Sequence, residues 1–336
     1  MELNMSPGSA SSAAPALDPQ GKRRRDPLLS RLPETAPLIV VLIGLGLFFT
    51  IKSPYFFNYD NFLNILTAAS IAGIIAAPAT LLMVGAQFDL SVGSGLTFCG
   101  VVVAHFAGDM SLGPAIVLGV AAGMVLGSVN GILVTVVGVN PLITTLGTLA
   151  AFVGLARVIS DGQTLPITHF STLGTARPFF EIPLPVLIFA AVMLAFWVLM
   201  RFTIFGRSMY AIGANPVAAR LAGIRVKRFI FAAFFLSGVC VALAALVNIS
   251  QLSAASPTAG NGLELSVITA VVLGGASLAG GRGTIIGTVL GLLVIGTLNN
   301  GLVLLDVSSF WQEVARGVLL ILAVSFDQLR LKLGTR

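Results

Sequence analysis

Between residues 36 and 326 the chain is a succession of apolar runs broken by short polar segments. Ten can be marked, at about 36–51, 62–86, 91–107, 112–135, 142–159, 184–202, 229–250, 263–279, 284–305 and 311–326. A helix needs about 20 largely apolar residues to cross the hydrocarbon of a bilayer. Only 10% of the residues are charged and 56% are hydrophobic, whereas a soluble domain carries about 25% charged residues. There is too little polar surface here for a water-soluble fold. The runs predict an all-α polytopic membrane protein with about ten transmembrane helices, the first and third of them short.

Charge supports that reading and sets an orientation. The net charge is +6, but the basic residues sit at the ends of the runs, as membrane topology demands, rather than forming a nucleic-acid footprint. With ten spans and the N-terminus inside, the cytoplasmic segments hold Lys22, Arg23, Arg24, Arg25 and Arg31, then Arg201, Arg207, Arg220, Arg225, Lys227 and Arg228, then Arg330, Lys332 and Arg336. Arg282 falls in a short internal turn, and only Lys52 and Arg177 fall outside. Both termini are therefore expected in the cytoplasm of a bacterial inner-membrane protein. Residues 1–34, rich in Ala, Ser and Pro and containing "GKRRRD", read as a disordered cytoplasmic tail. The first apolar run lacks a small-residue cleavage site and reads as a retained span. Residues 35–329 form the membrane domain, and 330–336 a short cytoplasmic tail.

The two halves resemble each other. "DLSV" from Asp89 returns as "ELSV" from Glu264, and "NGILV" from Asn130 returns as "NGLVL" from Asn300. Glycines recur every four residues at Gly119, Gly123, Gly127 and Gly131, and again at Gly283, Gly287 and Gly291. Such ladders let helices approach closely in lipid. An offset of five spans makes the halves two inverted five-helix repeats, a common transporter plan.

Chemistry-bearing groups are few. Cys99 and Cys240 lie inside apolar runs and read as small buried hydrophobes. No Cys, His, Asp or Glu grouping has metal-ligand spacing, no nucleophile–base set is visible, and "GGRGT" (280–284) lacks the lysine of a phosphate-binding loop. The chain reads as a transport component rather than an enzyme, with no cofactor of its own. Polar residues at or near span ends are Asp89, Ser91, Asn130, Asn140, Thr144, Thr145, Glu264, Ser266, Asn299 and Asn300. They can line a path or gate, or they can cap helices and bond between them. Asp89, Ser91 and Ser94 are placed to cap the third span, and inversion would put Glu264 at the outer end of the eighth. Glu313 and Arg316, three apart, and Arg157 and Asp161, four apart, have the spacing of ion pairs on one helix face. Without further acids or histidines beside them, a proton relay is the weaker reading of these pairs.

The internal loop at 203–228 is the most informative stretch. Asn215-Pro216 has the form of a helix start, Val217 to Leu221 gives one or two turns, and Gly223 suits the stop. The loop "GRSMYAIGANPVAARLAGI" closely resembles that of the ribose-type permeases of bacterial ATP-binding-cassette sugar importers. "SPYFFNYDNFLNIL", "GAQFDLSVGS", "NGILVTVVGVNPLITTLGTL" and "AVVLGGASLAGGRGTIIGTVLG" resemble the same family in the same order, from about Pro37 to Leu329. The resemblance implies two permease copies forming a pore. It also implies a separate, tandem-domain ATPase polypeptide using ATP and Mg, and a soluble sugar-binding protein docking outside. The cargo would be a ribose-, xylose-, arabinose- or galactose-type monosaccharide. It carries ATPase docking onto Gly206, Arg207, Gly213, Asn215, Ala218, Ala219, Gly223 and Ile224, so Ala219→Asp is expected to abolish coupled uptake without preventing insertion. The external loop at 160–183 is either the contact for the binding protein or a linker. Branched-chain amino-acid permeases, of the same superfamily, and ion-coupled secondary transporters are the competing readings.

Overall fold

The structure, a computed structural model, describes residues 36–334; the tail expected at 1–34 lies outside the described residues, as do 335 and 336. Each of the ten apolar runs forms a helix. In chain order the helices are α1 (Ala36–Lys52), α2 (Tyr59–Val84), α3 (Val92–Asp109), α4 (Leu112–Ile132, continued by a π-turn at Leu133–Val137) and α5 (Pro141–Ser160). Strand β1 (Leu165–Pro166), the single turn α6 (Thr172–Thr175), α7 (Leu184–Phe202), α8 (Ile204–Ala214) and α9 (Pro216–Leu221) follow. The chain continues through α10 (Val226–Leu252), β2 (Ala254–Ala255), α11 (Leu263–Leu273), α12 (Ile285–Leu304) and α13 (Ser309–Gly334). Among the described residues seven helices, α2, α3, α4 with its π-turn, α5, α7, α10 and α12, are long and apolar enough to cross a membrane. Residues 330–334 are helical, at the end of α13.

Local chemistry sets the helix starts. Asn58 begins α2 by accepting from the Asp60 N–H at 3.1 Å. Asn140 begins α5, accepting from Leu142 N at 2.9 Å with Pro141 in the first turn. Thr284 begins α12, accepting from Gly287 N at 3.0 Å. These side chains satisfy N–H groups that a helix cannot satisfy internally.

One boundary departs from expectation. The run 263–279 does not stay helical; α11 ends at Leu273 and is 11 residues long. At 1.5 Å per residue it rises about 16 Å, half of a roughly 30 Å hydrocarbon core. Gly275, at φ +91°, turns the chain out of the helix into a glycine-rich segment that leads to α12.

The most buried helices are α2, α3 and α10. α10 packs on α4, α2 and α3, while α2 packs on α7, α12 and α11. The first glycine ladder seats this packing. A Cβ on Gly127 would meet the Phe234 carbonyl and Gly238, and one on Gly123 would meet Ala242 at 2.7 Å, so α4 and α10 cross nearly backbone to backbone. Gly287 and Gly291 do the same for α12 against Gly274 and Ala270. Gly283 stands apart from that second ladder, in the turn before α12. Cys99 and Cys240 are both free and buried.

Candidate functional site

The segment from Gly85 to Ser91 is irregular, and Asp89 sits at the centre of a buried polar chain that grows from it. Its Oδ1 accepts from the Ser91 N–H at 3.0 Å and from the Ser91 hydroxyl at 2.6 Å. Its Oδ2 accepts from the Ser237 hydroxyl of α10 at 2.9 Å. Ser91 in turn accepts from Asn130 Nδ2 of α4 at 2.8 Å, and Asn130 Oδ1 accepts from the Thr148 hydroxyl of α5 at 2.8 Å. Each donor in this series leads toward Asp89, whose two carboxylate oxygens accept. Aligned donors polarise one another and strengthen each link. Four packed elements are tied together by one acid.

Asp89 does take the Ser91 N–H just before α3, but the two serines do not cap that helix. Ser91 is the residue before α3, but its side chain caps nothing there, and Ser94 Oγ donates to the Ser91 carbonyl at 2.8 Å. The other carboxylate oxygen of Asp89 reaches Ser237, a donor 148 residues away that no local reading could supply.

Glu264 stands in the first turn of α11. The connection after β2 leads back to α3 before α11 begins. Gly260 N donates to Thr97 Oγ1 at 2.9 Å, and a Cβ on Gly93 would collide with the Gly260 carbonyl and the Glu264 carboxylate. The first turns of α3 and α11, carrying "DLSV" and "ELSV", therefore lie side by side. Gly95 packs on Val241, near the midpoint of α10, so this meeting point is far from either end of the bundle.

The remaining polar candidates separate. Asn140 is an exposed cap. Thr144 is buried with its hydroxyl unpartnered. Asn300 forms a reciprocal amide pair with Asn61 of α2, at 3.0 and 2.8 Å. Ser266 donates to the Gly262 carbonyl at 3.2 Å and accepts from Arg316 Nη1 at 3.2 Å. Arg316 is thus turned to α11 rather than to Glu313. Asp161, expected to pair with Arg157, ends α5 in the left-handed conformation with its N–H on the Arg157 carbonyl. Ser237, Thr148 and Asn61 are the partners that the sequence left unassigned, and Arg316 is one that it assigned to Glu313. The signal for Ser237 was its place beside Gly238 in an otherwise apolar run.

The 203–228 loop forms as expected from Asn215 onward. Asn215 Oδ1 accepts from Val217 N and Ala218 N, both at 3.0 Å, and Gly223 leaves the helix at φ +85°. The sequence did not suggest α8, which Thr203 starts by accepting from Gly206 N at 3.3 Å. Two of the expected docking residues pack against the interior. Ala219 is only 4% exposed and faces the bundle. Gly213 fits against the Val84 carbonyl and Gly281 N, where any side chain would collide. The outer face of α9 carries Val217 at 64% and Leu221 at 85% exposure, with Arg220 and Arg225 exposed nearby. Tyr210 of α8 donates to the Gly283 carbonyl at 2.7 Å, and Gly281 N donates to the Val84 carbonyl at 2.8 Å. Burial raises the Tyr210 phenol above its ordinary range, opposed by the nearby Arg201 charge, so it remains a donor. The first bond joins α8 to the turn between α11 and α12, and the second joins that turn to the end of α2.

The 160–183 segment is ordered. β1 pairs antiparallel with β2, and the Gly174 N–H donates to Ser250 Oγ of α10 at 2.9 Å. Ile167 and Phe170 are buried, while Phe179 and Phe180 are exposed.

Comparison with known proteins agrees with this architecture. A family described as "Branched-chain amino acid transport system / permease component" matches residues 61–324. The ribose import permease protein RbsC of Escherichia coli (strain K12) is 39% identical over 88% of this chain and 94% of its own length. RbsC of Bacillus subtilis (strain 168) is 42% identical over 84% of the chain and 91% of its own length. The D-allose transport system permease protein AlsC of E. coli (strain K12) is 38% identical over 86% and 90%. No solved structure gives a significant match. A family match across most of the chain, relatives at this identity and a helical body rich in membrane-length helices lead to one conclusion: the chain belongs to this family of multi-pass transport permease components.

Proposed function

We propose that the chain is the membrane-spanning subunit of an ATP-binding-cassette importer that moves a monosaccharide of the ribose, allose or arabinose class. The similarity to ribose import permeases over nearly the whole chain carries this reading. The geometry of α8–α9 supports it. A capped helix with an exposed Val217–Leu221 face is held rigidly to the ends of α2 and α12, as a lever driven by a partner would have to be. The ATPase, with ATP and Mg, belongs to a separate polypeptide docking on α9. A second permease copy completes the pore, and a soluble sugar-binding protein docks on the face formed by the 160–183 segment.

All ten apolar helices enter the membrane in this reading, with both termini cytoplasmic, and the halves form inverted repeats. The exchange of partners supports inversion: α10 packs on α3 and α4, as α2 packs on α11 and α12. The two repeats meet where α3 and α11 begin. Helices that start within the bundle at a repeat interface are the usual place for a transporter's binding site. Asp89, Ser91 and Asn130 hold that junction together, while Glu264 and Ser266 face it.

The test is reconstitution in vesicles with the ATPase and with sugar-binding proteins loaded with single sugars. Uptake requiring ATP and a loaded binding protein is the expected result. Uptake by the chain alone under an ion gradient, or uptake of a branched-chain amino acid in place of sugar, would refute the proposal.

A further inference from the structure

Two charged residues stand in the first turns of α13, Glu313 and Arg316. Arg316 is half-buried; its Nη1 donates to Ser266 of α11 at 3.2 Å and its Nε to the Gln312 carbonyl at 3.4 Å. Glu313 is exposed. With Asn261, Ser266 and Thr269 these groups line a half-open cavity of about 350 Å³ between α11 and α13, within the size range of ligand sites.

Its place in the bundle follows from the packing. Ser266 lies two residues beyond Glu264, whose carboxylate touches Gly93, and Gly95 packs near the midpoint of α10. Charged groups within a membrane bundle are rare and face its interior or a water-filled space rather than lipid. Two other cavities have the wrong chemistry for a sugar. The space beside Asp89, Ser91 and Asn130 is about 10 Å³, at the lower limit for one water. The groove of about 520 Å³ between α1, α2 and α12 is walled mainly by apolar groups such as Leu42, Leu47, Phe57 and Phe62.

We infer that the α11–α13 cavity is a hydroxyl-binding station for a neutral monosaccharide, in which Glu313 accepts from one hydroxyl and Arg316 donates to its neighbour. The inference rests on the sugar-permease reading above. A carboxylate only accepts and a guanidinium only donates, whereas a sugar hydroxyl does both. Residues three apart on a helix bring their side chains within about 5–6 Å at Cβ, close enough to bracket two adjacent hydroxyls. Because Arg316 is steadied by Ser266 rather than by Glu313, the carboxylate stays open to cargo. Asn261 and Ser266 add neutral partners around it.

Gly317→Cys supplies a probe, since a Cβ there meets nothing within 4 Å. In the complex with the ATPase, a membrane-impermeant maleimide is expected to label this introduced thiol. Ribose or allose at tens of millimolar should slow labelling at least threefold, and leucine should not. The unmodified chain, with only buried Cys99 and Cys240, is the blank. Independently, Glu313→Gln and Arg316→Met, checked for wild-type elution and assembly, should each cut sugar uptake at least tenfold. No labelling, labelling indifferent to sugar, or protection by leucine alone overturns the site. If the wild type imports no sugar yet ribose protects the introduced thiol, the transport reading fails and the site stands. If the wild type imports sugar and both variants match it, the site fails and the transport reading stands.

Discussion

The acid at the end of the donor chain gives the sharpest single test of the bundle's polar architecture. Asp89→Ala removes three accepted hydrogen bonds, two from Ser91 and one from Ser237. Hydrogen bonds to charged groups contribute about 1.5–3 kcal/mol each, but interhelical bonds in membrane proteins average nearer 0.6 kcal/mol because the alternatives also find partners. Ser237 is fully buried, so its hydroxyl must fall back on its own helix. Between these bounds the loss is about 2–5 kcal/mol. Asp89→Asn differs in kind. Its amide oxygen still accepts from Ser91, and its amino group can donate to Ser237, whose hydroxyl also accepts. Only the charge enhancement is lost, about 1 kcal/mol. In lipid nanodiscs the unfolding midpoint should fall by about 2 °C for Asn and roughly 4–10 °C for Ala, scaling from domains of comparable size. Adding Ser237→Ala should cost less in the Asp89→Ala background than in the wild type, with a coupling of about 0.5–2 kcal/mol. Equal midpoints for the Ala and Asn variants, or strict additivity with Ser237→Ala, would refute the claim that Asp89 ties α10 to the rest of the chain.

Other substitutions test other joints. Gly127→Val should force α4 away from α10 at the Phe234 carbonyl. Overpacking of this kind costs about 1–3 kcal/mol or more, read as a lower midpoint or loss of the monodisperse peak in size exclusion. Ala219→Asp and Leu221→Asp separate folding from docking. The first buries a charge and should lower stability. The second, at an 85% exposed position, should stay within about 0.5 kcal/mol of wild type yet fail to retain the ATPase in co-purification. Tyr210→Phe removes the bond to the Gly283 carbonyl, worth about 1 kcal/mol. It should lower the sugar transported per ATP hydrolysed, measured by parallel uptake and phosphate-release assays, while sparing expression.

The sequence alone determined the membrane class, the ten helical segments, the close glycine contacts and the capped helix at Asn215. Each of these is written in local pattern: run length, four-residue spacing, or a cap two to three residues from its partners. Tertiary structure decided what the polar groups do. Asp89 was legible as an acid needing compensation, but its partner on α10 is 148 residues away. Ala219 and Gly213 sit in the loop whose pattern announced it, yet only the packing against α10, Val84 and Gly281 shows that they face inward while Val217 and Leu221 face out. The halt of α11 at Leu273 and the meeting of its first turn with that of α3 likewise needed the fold. A short apolar helix and a spanning one share a composition, and only the neighbours at Gly93 and Gly260 set the depth at which it begins. Local periodicity fixes which segments are helices, because backbone hydrogen bonds must close within a segment in lipid. Which buried donor meets which acceptor is settled only when distant segments come together.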